Sequence, residues 1–84
     1  MNKYTVFLDF ELYHQIRSIR GTNKREILNY LNSLAENPFA KGELNTVMEG
    51  VRIEVKVIGK YSLLYYADHA VKEVKILDFY QSGS

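Results

Sequence analysis

The stretch "VRIEVKVIGKYSLLYYAD", residues 51–68, decides the fold. In its first half Val51, Ile53, Val55 and Val57 alternate with Arg52, Glu54 and Lys56. A period of two marks a strand with one face on a core, because successive side chains point to opposite sides of a sheet. Gly59-Lys60 marks a tight turn, and "YSLLYYA" reads as the returning strand. Tyr61 and Tyr65 share one of its faces; Ser62, Leu64 and Tyr66 share the other. Asp68-His69 makes the next turn, and "VKEVKILDF" (71–79) closes an antiparallel meander.

A meander of this kind needs a cover for its apolar face, and the first half of the chain supplies one. "YTVFL" (4–8) is β-branched and aromatic, a further strand. Asp9 is placed to cap a helix, with Glu11 favoured by the helix dipole in the first turn. Leu12, Ile16 and Ile19 fall on one face of that helix. Arg17 and Arg20 suit its last turn, and Gly21 suits a left-handed stop. Asn23 followed by Glu26 resembles a capping box for a second helix. Its apolar stripe is Ile27, Leu31 and Leu34, widened by Leu28 and Ala35, and Asn37-Pro38 ends it. Residues 39 to about 46 read as a polar loop. The predicted order is β-α-α-β-β-β, an α+β domain over residues 1–84. A helical hairpin packs on one face of a mainly antiparallel sheet, and the other face stays at least partly open.

Composition narrows the function classes. The chain has 84 residues, one domain's worth, and no cysteine, which excludes disulfides, thiolate metal sites and a thiol nucleophile. A net charge of +1 is low for a dedicated nucleic-acid binder, so any such contact must come from a local patch. No apolar run approaches the roughly 18–20 residues that span a bilayer. "MNKYTVFLDFE" is too soon interrupted by Asp9 and Glu11 for a signal peptide. A cytoplasmic protein without a membrane partner is expected.

The candidate chemistry is sparse. Arg52, Glu54 and Lys56 are expected on the open side of their strand. They make either a solvated face of weak ion pairs or a positive strip for phosphates, which Lys60 and Lys75 would extend. Glu54 weakens the second reading. His14 lies off the apolar stripe of its helix and His69 lies in a turn, with no third partner at a metal-binding spacing. The tyrosines suit packing with hydroxyls toward water, and an exposed one suits stacking on a base. There is no phosphate-binding glycine loop, nucleophile elbow or paired-carboxylate spacing, and no cofactor is expected.

The pattern as a whole resembles the RelE/ParE superfamily of toxins from bacterial toxin–antitoxin pairs. The likeness runs through "YTVFLDFE", "REILNYLNSLAENPFAKGEL" and "GVRIEVKVIGKYSLLYYAD", and the order and spacing of these parts carry it. The resemblance implies a RelE-like fold and a cognate antitoxin whose flexible segment wraps the toxin. For RelE-like members it implies ribosome-dependent mRNA cleavage, with basic residues and a tyrosine on the concave sheet face. For ParE-like members it implies inhibition of DNA gyrase.

Carried onto this chain, the RelE reading makes Arg52, Lys56 and Tyr80 the catalytic candidates and Arg52, Lys56, Lys60 and Lys75 the RNA-binding ones. The departures are specific. Glu54 stands where a second basic residue is expected, Ser62 replaces the arginine of "G-x-Y-R", and Gln81 stands about where another arginine is common. The family's C-terminal catalytic tyrosine has no counterpart unless Tyr80 serves. Losing one oxyanion-type donor costs about 2.7–4 kcal/mol of transition-state stabilisation. A second reading is therefore a non-catalytic binding protein of the same fold, a gyrase inhibitor or a toxin relative that only engages its antitoxin.

Overall fold

In the computed structural model, which describes residues 3–81, the chain opens with strand β1 (Thr5–Phe7) and two helices, α1 (Phe10–Arg17) and α2 (Thr22–Glu36). Four strands follow: β2 (Leu44–Met48), β3 (Val51–Ile58), β4 (Tyr61–Asp68) and β5 (Glu73–Gln81). They form one sheet in the order β1-β5-β4-β3-β2, antiparallel except for the parallel β1–β5 pair. The predicted α+β class and helical hairpin on a mainly antiparallel sheet are what is observed. The sheet holds one more strand than the sequence indicated. Leu44–Met48, expected to lie mostly in the polar loop, pairs with β3 as an edge. All five of its residues are exposed, so no burial-driven alternation announces it.

The helices form where expected, with two corrections at their ends. Asp9 caps α1, its carboxylate accepting from the Glu11 and Leu12 N–H groups. The helix stops at Ser18, and Ile19 enters the core from outside it. Gly21 does not close α1. Its φ of +94° instead opens α2, where it is the N-cap. Asn23 therefore lies inside α2 and forms no capping box. Its amide packs on Gly59 in the β3–β4 turn, so closely that a Cβ at Gly59 would come within 2.6 Å.

The core lies between the helical hairpin and one sheet face. Ile16, Ile27, Leu31 and Leu34 meet Ile58, Leu63, Tyr65, Val74, Ile76 and Phe79. Full burial of one such side chain contributes about 1.5–3 kcal/mol. A bulge in β5 makes this set possible. Leu64 pairs with Asp78 and Tyr65 with Ile76, which leaves Leu77 unpaired between them. Ile76 and Phe79 thus reach the same face although three residues apart. No helix among the described residues is long and apolar enough to cross a membrane.

Candidate functional site

The register decides which way the charged strip on β3 points. Ile58 packs in the core beneath the helices, and by alternation Lys56, Glu54 and Arg52 share its face. Contacts agree: the Lys56 ammonium sits 5.3 Å from the ring centroid of Tyr30 on α2. This corrects the expectation that Arg52, Glu54 and Lys56 line the open side. That side carries Val51, Ile53, Val55 and Val57. The helices cover only part of the sheet, so polar groups fit on the inner face at its β3 end.

There Arg52 and Glu54 border a cleft of about 400 Å³ lined also by Phe39, Ala40, Tyr65 and His69, among others. Its polar groups are largely engaged with one another. Glu54, 9% exposed, accepts from the Gly42 N–H at 3.0 Å and from Arg52 Nε at 2.9 Å. Outside the cleft lining but on the same strand, Lys56 Nζ donates to Glu43 at 2.8 Å, and the other Glu43 oxygen accepts from the Val57 N–H. The Tyr65 hydroxyl donates to the Ala40 carbonyl at 2.9 Å and meets the Tyr30 hydroxyl. At the mouth, Phe39 stacks on His69 with centroids 4.6 Å apart, and His69 Nδ1 is 2.7 Å from the Tyr4 hydroxyl.

The ionisation states follow from these contacts. The Lys56 hydrogen bond, then the Val57 N–H, pull the Glu43 carboxyl from 4.5 to about 2. The same bond raises Lys56. Burial, then the bond to Tyr30, pushes the Tyr65 phenol far above its ordinary range, and burial raises Tyr30 as well. A general base works best with a pKa near the operating pH. These four groups are moved away from it, toward two fixed charges and two neutral phenols.

The other candidates lie elsewhere. On β5, Lys75 pairs with Tyr66 and Tyr80 with Ser62, which places both on the outer face. The Lys75 ammonium is 3.7 Å from Glu73. Lys60 sits in the β3–β4 turn, 5.9 Å from the Tyr61 ring. Arg52 and Lys56 are thus together on the inner face, and Lys75 and Tyr80 are on the opposite side of the sheet. Ser62, only 6% exposed, lies on the outer face between its pairing partners Val57 and Tyr80. Among the described residues no group of three or more His, Asp or Glu side chains is placed to hold a metal.

Sequence reasoning passed over Glu43, Tyr30 and the Tyr4–His69–Phe39 cluster. Their partners lie far away along the chain, and no short spacing signals them.

No protein-family model matches the chain. No curated protein matches it either. Solved structures do. A chain of the archaeal RelE–RelB complex from Pyrococcus horikoshii OT3 superposes with a TM-score of 0.80 at 20% identity, over 99% of this chain and 98% of that one. A chain of the toxin–antitoxin complex RelBE2 from Mycobacterium tuberculosis gives 0.71 at 20% identity, over 94% of this chain and 98% of that one. Coverage at both ends of each alignment makes this a likeness of whole domains, and the chain therefore has the RelE-like fold.

Proposed function

We propose that this chain is the toxin-fold member of a toxin–antitoxin pair and that it acts by contact with protein partners, its cognate antitoxin first among them. The fold shared with chains of two such complexes supports the pair. One observation carries the non-catalytic half: the residues expected to cleave RNA are divided between the two faces of the sheet. Phosphoryl-transfer chemistry on a ribose needs a base and cations within reach of one phosphate. Here Arg52 and Lys56 are hydrogen-bonded to Glu54 and Glu43, while Tyr80 faces the other way beside a buried serine.

Inducing the chain in bacteria, with and without the product of the neighbouring reading frame, tests both halves. The expected outcome is co-purification of that product and an unchanged map of ribosome-associated mRNA ends. New ribosome-dependent ends would overturn the contact reading in favour of mRNA cleavage. Failure of the neighbour to bind would overturn the pair. Gyrase supercoiling at micromolar protein then shows whether gyrase is the contacted target.

A further inference from the structure

The sheet is split at one end. β3 and β4 pair from Ile58↔Tyr61 to Glu54↔Tyr65 and stop there, although β3 begins at Val51 and β4 continues to Asp68. Past that point β3 stays paired with β2, and β4 with β5. The 400 Å³ cleft lies in this fork: Val51 and Tyr66 of the outer face border it together with Arg52 and Tyr65 of the inner one. The loop after α2 adds Phe39 and Lys41.

The fork holds donors that are aimed and still open. Glu54, nearly buried, fixes Arg52 through Nε at 2.9 Å. The two terminal guanidinium nitrogens make no hydrogen bond among the described residues. With Nε taken, these end-on N–H groups match the two oxygens of a carboxylate. Lys41 is exposed and has no ion-pair partner among the described residues. Lys41 and Arg52 against Glu54 leave the lining one positive charge in excess, which suits a monoanion. A phosphate dianion would leave negative charge uncompensated beside Glu54. Much of the remaining wall is apolar: Val51, Ala67 and the Phe39 ring, which is 69% exposed although it stacks on His69. Clefts of this size, mostly apolar with a few convergent polar groups, are the usual form of small-molecule sites. We propose that the fork binds a small monocarboxylate with a flat apolar body, its carboxylate on Arg52 and Lys41 and its ring against Phe39. This goes beyond the toxin–antitoxin reading and rests on none of it.

Backbone-amide NMR titrations of the full chain test the proposal with phenylacetate, its neutral analogue phenylacetamide, and phenyl phosphate. Phenylacetate should give saturable shifts clustered at residues 39–42, 51–54 and 66–69. The other two should bind at least about tenfold more weakly, as expected when a charge-assisted hydrogen bond is lost or the charge is mismatched. Arg52→Lys keeps the charge but loses the planar fork, and should weaken phenylacetate by a similar factor. Lys41→Gln and Phe39→Ala alter exposed side chains, so they keep the fold and should also weaken binding. Absence of saturation, or shifts centred on other parts of the chain, overturns the proposal. So does phenylacetamide binding equally well, phenyl phosphate binding as tightly or more so, or unchanged affinity in either Lys41→Gln or Phe39→Ala. None of these results depends on whether the neighbouring-frame product binds.

Discussion

Glu54 has the wrong sign for a phosphate site, and its surroundings give the reason it is there. It is the acceptor that holds the Gly42 N–H and the Arg52 guanidinium, so its charge is used to fasten the loop after α2 onto β3. Tyr65 does the same from β4 through the Ala40 carbonyl. Replacing Tyr65 by Phe strands that carbonyl and the Tyr30 hydroxyl and should cost about 1–3 kcal/mol, read as a lower urea midpoint. Glu43 gives the fastening a pH dependence. Its folded pKa of about 2 lies below the ordinary 4.5, so its stabilisation is complete above 4.5 and is lost as pH falls toward 2. Because the carboxylate is half exposed, salt should weaken the effect. Urea midpoints at several pH values should therefore fall through that window, and Glu43→Gln should flatten the fall.

At the level of elements, the β2–β3 arm depends on a close backbone approach at Gly42. A Cβ there would sit 2.1 Å from the Val55 carbonyl oxygen, and backbone cannot turn aside as a flexible side chain does. Gly42→Ala should push the arm away at a cost of about 1–3 kcal/mol or more, visible as faster amide exchange in β2 and β3. This arm is also where sequence reading ran out. The two helices, the first strand and the β3–β4 hairpin were legible because Ile27, Leu31 and Leu34, or Val51, Ile53 and Val55, repeat with the period of their element. β2 has no buried residue to repeat. The bulge at Leu77 was equally hidden, since it appears only when Ile76 and Phe79 are required on one face. Arg52, Glu54 and Lys56 run against the usual pairing of polar residues with the solvent side of a strand, because the helices leave the inner face uncovered at the β3 end. Alternation fixes that two faces exist, and only tertiary packing says which one the helices cover. The catalytic candidates came from order along the chain, which carries no information about a division between faces.

Across the whole molecule, stability should be graded from one side of the sheet to the other. β4 and β5 meet the buried side chains of both helices, and β2 meets none. Native-state exchange should accordingly be slowest in β4, β5 and α2 and fastest in β2, a gradient that one uniform rate for all strands would contradict. The strand order has a further consequence for how the domain is made. β5 lies between β1 and β4, so the strand that joins the start of the chain to the meander is synthesised after every other described element. Until it emerges, β1 has no strand to pair with and the helical hairpin has only part of a surface to cover. Contacts between segments so distant in sequence close slowly. Assembly of this domain therefore waits until residues 73–81 have cleared the exit tunnel of the ribosome that makes them.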